Sequence, residues 1–223
     1  MTGEIAAHPT ADLLQMIKDE AGSEGGLIYE AEQCLFKRWR QGIDLKFLVS
    51  LLDSETSEER LRGAYYLGEA LPPGEGIIDT AVKLASDPHS YCRRTLVGYI
   101  TASGLYDDRI AQALAHGFFD LDINVRAATI NWAVFTTDDR FGTFSLLVEK
   151  GEGATESEFW REPELKRGVR ALSIARRLRD GESVEEVRKN TPEEDSFTFD
   201  YLQFFEKRLI RYVTKPSSSH PQR

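Results

Sequence analysis

The chain has few of the residues that build metal centres and disulfide frameworks. Only two cysteines, Cys34 and Cys92, occur among 223 residues, and neither has a second Cys or a His at ligand spacing. This pattern argues against a disulfide scaffold and a zinc site. The four histidines are equally scattered, at His8, His89, His116 and His220. We therefore expect no metal site and no cofactor.

Signatures of common catalytic sites are also missing. The sequence contains no HExxH, CxxC, GxSxG or Walker-type GxxxxGK[ST] motif. Its two glycine-rich stretches, PPGEG and GEGAT, carry acidic residues that would repel a phosphate. We expect no catalytic residue and predict that the protein is not an enzyme.

Long apolar runs and excess positive charge are absent as well. No run of 18 apolar residues occurs, and the acidic start MTGEIAAHPTADLLQ lacks the order of a secretory signal. Lys and Arg number 28 against 37 Asp and Glu, which gives a net charge of -9. Such a surface repels a phosphate backbone, so a nucleic-acid role would need a local basic patch. We expect a cytoplasmic protein without a membrane partner.

The chain does contain a motif repeated at a constant interval. EERLRGAYYLGEA begins at Glu58, YCRRTLVGYITAS at Tyr91 and NVRAATINWAVFT at Asn124. Each motif lies 33 residues after the one before it, as measured between Arg60, Arg93 and Arg126. A repeat of this length is typical of a stacked array of small units rather than one closed core.

Apolar residues recur at three- and four-residue steps over most of the chain, which predicts an all-α fold. Each repeated unit has an apolar helix, a turn with Asp, and a second helix that begins near an Arg. We predict an N-terminal helical cap or degenerate repeat over 1–43, helical repeats over 44–180, a C-terminal helical cap over 181–215 and a disordered tail over 216–223. A fourth unit would be interrupted by the polar segment 151–164, either a surface loop or an interface.

The same order of elements resembles a known family. DPHSYCRRTLVGY and DINVRAATINWAV, with a turn Asp, a hydrophobic–Arg pair and an Ala-containing helix, resemble HEAT-like repeats, especially the short bacterial type of phycobilin-lyase-like proteins. The resemblance covers about half of the chain, and Glu59 departs from it because Cys92 and Val125 stand at the equivalent positions. It implies a right-handed α-solenoid of stacked helical hairpins, similar to HEAT and armadillo superhelices.

In that family the repeated charges are structural. The resemblance implies that an Arg of one second helix reaches a turn Asp, because a guanidinium can bridge the oxygens that helix ends leave open. In the first unit Ser54 stands in register with Asp87, and Asp53 lies one residue early. The implied ladder comprises Arg60, Arg93, Arg126, Asp53, Asp87 and Asp120.

The family binds partners on the concave face that the second helices line. Positions one and five residues after each repeated Arg are expected to point away from the buried stripe, at Leu61, Arg94, Ala127, Tyr65, Gly98 and Asn131. Beyond them lie Gly68, Thr101 and Val134. This row is nearly uncharged, which favours a protein or peptide groove over a phosphate track, although a plain solvated face would look the same.

From this row and from segment 151–164 we select six candidate protein-binding residues. Trp160 is included because it stands beside Arg161 in a polar segment, where an exposed tryptophan could anchor a partner. The candidates are Leu61, Tyr65, Arg94, Thr101, Asn131 and Trp160.

Three functions stay open. The leading hypothesis is a non-enzymatic interaction module, such as an adaptor, an assembly factor or an immunity-type protein. It would bind another protein of unknown identity, and the net charge of -9 suits a basic partner. The second is an enzyme resembling alkylpurine DNA glycosylases, which are small HEAT-like solenoids. It would need a basic stripe, for which the chain offers Trp132 with Arg93, Arg94, Arg161, Arg167, Arg170, Arg176, Arg177 and Arg179. The third is a lyase-like or chaperone role toward a prosthetic group.

Overall fold

The computed structural model describes residues 5–19, 26–154, 158–191, 198–200 and 202–203, without the side chains of 158–160. Every regular element in these residues is helical, and no strand occurs among them. The predicted all-α fold class is therefore confirmed. The chain divides into two compact units, Met1–Leu105 and Tyr106–Arg223.

The described part of the first unit contains the α-helices and the 3-10 helix named next, and Ile5 is helical as well. The helices are α1 (Thr10–Asp19), α2 (Gly26–Arg40), α3 (Leu45–Leu52), α4 (Ser57–Ala70), α5 (Ile78–Ala81) and α6 (Ser90–Ser103), with the 3-10 helix Val82–Ser86 between α5 and α6. The sequence predicted one apolar helix before Asp87, and the structure has four α-helical residues followed by the 3-10 helix instead. Pro88 restricts the residue before it, and Asp87 is accordingly extended with ψ of 139°.

Helix α4 lies at the centre of the first unit. It packs against α2, α3 and α6. Gly63 permits the close approach of α3, because a Cβ at this position would lie 3.0 Å from the backbone carbon of Leu51. Tyr66 is buried, with its ring centroid 5.4 Å from that of Trp39 and 5.8 Å from that of Phe36. The core of the unit therefore joins α2 and α4 through aromatic rings.

The named helices in the described part of the second unit are α7 (Asp108–Phe119), α8 (Ile123–Phe135), α9 (Asp138–Glu149), α10 (Glu158–Arg179) and α11 (Val184–Lys189), and residues 198–200 and 202–203 are helical as well. Side chains cap three of these helices. Asp107 accepts from the backbone N–H of Ile110, and Asp122 accepts from that of Asn124, so α7 and α8 begin as an N-cap requires. At α11, Ser183 and Glu186 form the capping box that the sequence SVEE predicts.

Segment 151–164 is a loop only in its first part. Residues 151–154 form a turn, and the backbone is helical again from Glu158, within the segment that the sequence marks as an interruption. Residues 155–157 and most of the predicted cap beyond 191 lie outside the described residues. The same is true of the predicted tail 216–223. In the short stretches that are described there, Phe199 and Leu202 are buried.

Helix α8 is enclosed in the second unit, because α7 and α10 both pack against it. Its residues from Val125 to Ile130 are all buried. Ala127 is 0% exposed, so its predicted exposure is wrong. Around α8 the rings of Trp132 and Phe118 each contact Phe144, with centroid distances of 5.2 and 4.8 Å.

Candidate functional site

The three repeated arginines each close the turn that precedes their own helix. Each Nη1 donates to two consecutive backbone carbonyls, at five and six residues earlier in the chain, over distances between 2.7 and 3.0 Å. Carbonyls at a helix end lack helical partners, and a planar guanidinium satisfies two of them at once. The donors and acceptors are Arg60 to Ser54 and Glu55, Arg93 to Asp87 and Pro88, and Arg126 to Asp120 and Leu121.

The side chains in the turns repeat with the same 33-residue spacing. Ser54 Oγ, Asp87 Oδ1 and Asp120 Oδ1 each accept a hydrogen bond from the backbone N–H two residues later, at 3.2, 2.8 and 2.8 Å respectively. Asp53 lies outside this register. Its Oδ1 lies 2.6 Å from Lys83 Nζ in an exposed ion pair.

One of the ladder pairs joins two successive turns of the first unit. Arg60 Nε donates to Asp87 Oδ2 at 2.6 Å, and Asp87 is only 7% exposed. Burial opposes ionisation of Asp87, but the hydrogen bonds from Arg60 and from the His89 N–H outweigh it and lower the pKa of the carboxyl group. The neighbouring Cys92 is buried, and burial, followed by the Asp87 charge, raises the pKa of its thiol to about 11. This cluster is internally satisfied, which is typical of a structural role.

Helices α2, α4 and α6 each carry one exposed tyrosine. Tyr29, Tyr65 and Tyr91 are 63%, 38% and 37% exposed. Helix α4 packs against both neighbours, and the charges that act on Tyr65 come from α2, α4 and α6. We call this surface the tyrosine face and define it by Tyr29, Glu32, Tyr65, Glu69, Tyr91 and Arg94.

Tyr65 is the centre of the tyrosine face. Its ring meets Phe36 edge-on with centroids 6.2 Å apart, and lies 5.5 Å from the ring of Tyr66. Burial raises the pKa of the Tyr65 hydroxyl, and the carboxylates of Glu32 and Glu69 raise it further. The Tyr65 ring is thus held in place by Phe36 and Tyr66, and its hydroxyl lies in the negative field of Glu32 and Glu69.

Glu32 is held beside Tyr65 by a buried donor. The Tyr66 hydroxyl donates to the Glu32 carboxylate, and burial raises the pKa of Tyr66, which keeps this donor protonated. Burial also raises the pKa of Glu32 and outweighs the lowering by the Tyr66 hydrogen bond and by the charge of Arg62. Arg62 Nη2 lies 3.4 Å from Glu58 Oε1. The positive charge of Arg62 is therefore shared between the carboxylates of Glu58 and Glu32.

Helix α6 contributes the guanidinium of Arg94 and the exposed backbone at Gly98 to the tyrosine face. The Arg94 guanidinium carbon lies 5.7 Å from the centroid of the Tyr91 ring, in the geometry of a cation–π contact. One turn later, a Cβ on exposed Gly98 would meet nothing within 4 Å, whereas one on Gly68 of α4 would lie 3.3 Å from Thr95 Cγ2. These two glycines leave the surface between α4 and α6 low.

The structure brings four of the predicted binding residues into the first unit. Leu61 and Tyr65 lie one turn apart on α4, which packs against α6 with Arg94 and Thr101. Leu61 is half-buried, and the Thr101 hydroxyl donates to the Val97 carbonyl at 2.7 Å. Asn131, partly exposed on α8, belongs to the second unit. So does the α10 backbone at Trp160, whose side chain lies outside the described part.

The first unit also contains a cavity of about 280 Å³ between α1, α3 and α4. Its rim includes the ion pair between Lys18 Nζ and Glu59 Oε1, at 3.3 Å. The lining is Ala11, Leu14, Gln15, Ile17, Lys18, Phe47, Ser50, Leu51, Glu59, Arg62 and Tyr66.

The described residues contain neither a metal-binding cluster nor a membrane-spanning helix. No group of three or more His, Cys, Asp or Glu side chains there is arranged to hold a metal ion. No helix in the described ranges combines the length and apolar character needed to cross a bilayer. No protein-family model matches the chain, and no curated protein or solved structure is significantly similar to it.

Proposed function

We propose that this protein is a non-enzymatic interaction module, an α-solenoid of HEAT-like hairpins that binds another protein in the cytoplasm. The observation that carries the proposal is the tyrosine face, where three exposed tyrosines and an arginine lie on adjacent helices of one unit. Tyrosine and arginine are enriched in protein interfaces and dominate their binding energy.

The contacts beneath Tyr65 support a binding role. A ring already fixed by Phe36 and Tyr66 loses little conformational freedom when a partner covers it, so more of the contact energy becomes affinity. Exposed tyrosines without such support would lose more rotamer entropy on binding.

The repeated turns support the HEAT-like part of the proposal. The same Arg-to-carbonyl clamp recurs at Arg60, Arg93 and Arg126, each on the second helix of a unit. Stacked units of this kind bind partners along the row of second helices, and the tyrosine face includes α4 and α6 of that row.

The described contacts do not favour the DNA-binding alternative. Several arginines of its basic stripe form hydrogen bonds or ion pairs within the second unit. Arg167 donates to the Phe119 carbonyl at 2.8 Å, and Arg179 donates to the carbonyls of Ala133 and Thr136 at 2.7 and 2.8 Å. Arg176 and Arg177 form ion pairs with Glu149 and Glu182. No observation among the described residues favours the prosthetic-group role.

Site-specific photo-crosslinking in native cells tests the proposal. A photo-reactive phenylalanine analogue is placed at Tyr65, and for comparison at Ile43, which is 47% exposed in the same unit but lies in a turn. We expect a discrete crosslinked protein from position 65 and none from position 43. Equal crosslinking at both positions, or none at position 65, would contradict the proposal. Mass spectrometry of the adduct identifies the partner.

A further inference from the structure

We propose that the tyrosine face recognises an arginine side chain in an extended, basic segment of its partner, with the guanidinium between the Tyr65 ring and the carboxylates of Glu32 and Glu69. This inference rests on the proposed function, because it names the chemistry of the partner that the same face would bind. It depends on three features of the first unit, namely the carboxylates, the rings and the low surface beside them.

The carboxylates supply charge complementarity at one place. Glu32 on α2 and Glu69 on α4 both raise the pKa of the Tyr65 hydroxyl, so the charges of two carboxylates act on one side chain. The charge of Arg62 is shared with Glu58, and burial of Glu32 outweighs what Arg62 and Tyr66 contribute, so its pKa stays raised. A partly buried carboxylate in this state gains from a further cation.

The rings favour arginine over lysine. A guanidinium is planar, stacks on aromatic faces and can donate to two carboxylate oxygens at once, whereas an ammonium is a strongly hydrated point charge. Arg94 already lies over Tyr91 on α6 in this geometry. Tyr65 on the adjacent helix α4 is 38% exposed and is acted on by the charges of Glu32 and Glu69, so its ring offers a similar stacking position to an arginine from outside.

The glycines favour an extended segment. Gly98 is exposed within α6, and no atom lies within 4 Å of the position where its Cβ would be. Glycine inside a helix costs about 1 kcal/mol relative to alanine, and the packing at Gly98 gives no compensation. Together with Gly68 it leaves room for a main chain to lie across α4 and α6. The net charge of -9 steers a basic segment toward the protein.

Fluorescence anisotropy with labelled peptides tests this inference on the full chain. The probe is a short peptide of Gly, Ser and Arg, compared with versions in which lysine, or the neutral arginine analogue citrulline, replaces every arginine. We expect the arginine peptide to bind, the lysine peptide to bind about tenfold more weakly and the citrulline peptide not to bind. Equal affinity for lysine and arginine, or no binding of the arginine peptide, would overturn the inference.

Matched variants separate the site from general attraction to an acidic protein. Glu32→Gln keeps an acceptor for the Tyr66 hydroxyl but removes the charge. Glu32→Gln and Tyr65→Ala, each made as a single variant, are expected to weaken binding of the arginine peptide about tenfold. Glu75→Gln removes the same charge from an exposed turn of the same unit and should leave affinity within about twofold. Tyr65→Phe retains the ring and should retain binding. A loss with Glu75→Gln equal to that with Glu32→Gln would reject a specific site.

The two proposals can fail separately. A partner crosslinked at Tyr65, together with peptides that do not bind, would leave the interaction function standing and reject arginine recognition. No crosslink at Tyr65 and no peptide binding would reject both. Thermal unfolding of each variant, followed by circular dichroism, shows whether a loss of binding reflects loss of the fold.

Discussion

The guanidinium of Arg60 reaches Asp87, 27 residues later in the chain, and so joins the turn at Ser54 and Glu55 to the turn at Asp87. Its Nε lies 2.6 Å from Asp87 Oδ2, while its Nη1 holds the carbonyls of Ser54 and Glu55 at 3.0 and 2.9 Å. One side chain therefore satisfies oxygens from consecutive turns of the first unit. Breaking this pair should therefore lower the free energy of unfolding more than breaking the exposed ion pair between Asp53 and Lys83.

We predict that Arg60→Met lowers the free energy of unfolding by about 2–4 kcal/mol, because it leaves the buried Asp87 carboxylate without its charged partner. Methionine retains most of the apolar stem, so the loss reports on the hydrogen bonds. Urea unfolding followed by circular dichroism measures the change. As a control, Asp53→Asn disrupts an exposed pair and should cost less than about 1 kcal/mol. Similar losses in the two variants would show that burial of Asp87 does not matter.

The pH dependence of stability should reveal the same pair. The pKa of Asp87 is lower in the folded protein than in the unfolded chain, so Asp87 contributes stability above its unfolded value of about 3.9. This contribution is lost as pH falls from that value through the lowered folded pKa. Asp87→Asn should therefore reduce stability at pH 6 and have less effect near pH 2. A constant difference between the variant and the parent over that range would contradict the assignment.

The contribution of Glu32 to stability should change with pH in the opposite direction to that of Asp87. Burial holds the pKa of its carboxyl group above the ordinary value, so the folded state binds a proton more readily than the unfolded state. Its contribution to stability is greatest at low pH and decreases as pH rises through the ordinary value to the raised folded pKa. We predict that Glu32→Gln does not destabilise the protein at pH 7, although it weakens binding of the arginine peptide. Thermal unfolding at pH 7 checks this, and a clear drop in melting temperature would count against it.

The repeated motif made part of this architecture predictable. Helices α4, α6 and α8 fall on the three copies of the motif, and α3 (Leu45–Leu52) is the apolar helix predicted before the first copy. A local pattern fixes such elements, because a helix is defined by neighbouring residues. The 3-10 helix at Val82–Ser86 was not predicted, since the apolar spacing there is compatible with either kind of helix.

The candidate site was less predictable than the helices. Tyr65 and Arg94 follow from the repeat register, but Tyr29 and Glu32 lie on α2, outside the clear units, and no local pattern shows that α2 packs on α4. Ala127 was expected to be exposed because the register treats every unit alike. It is buried because α8 has helices on both sides, which is a tertiary property. Contacts between distant helices are not encoded in a local pattern.

Glycine-to-alanine substitutions should distinguish open positions from packed ones. Gly98→Ala and Gly142→Ala place a methyl group where no atom lies within 4 Å, and we predict that each raises stability by about 0.5–1 kcal/mol. Gly63→Ala should destabilise, because its Cβ would lie 3.0 Å from backbone atoms of α3. Denaturant unfolding measures all three. A stabilising Gly63→Ala would show that α3 and α4 can separate without cost.

The last prediction concerns the two free thiols. Cys92 is 0% exposed, and burial raises the pKa of its thiol to about 11, with Asp87 adding to the effect. At pH 8 only about one thiol in a thousand is then ionised, and the thiolate is the reactive form. In a Cys34→Ser variant we expect Ellman's reagent to leave the native protein unmodified and to titrate one thiol after unfolding. Adding Arg60→Met should accelerate modification, because opening of the turn at Asp87 exposes Cys92. Rapid reaction of the native Cys34→Ser protein would contradict the burial of Cys92 and its contact with Asp87.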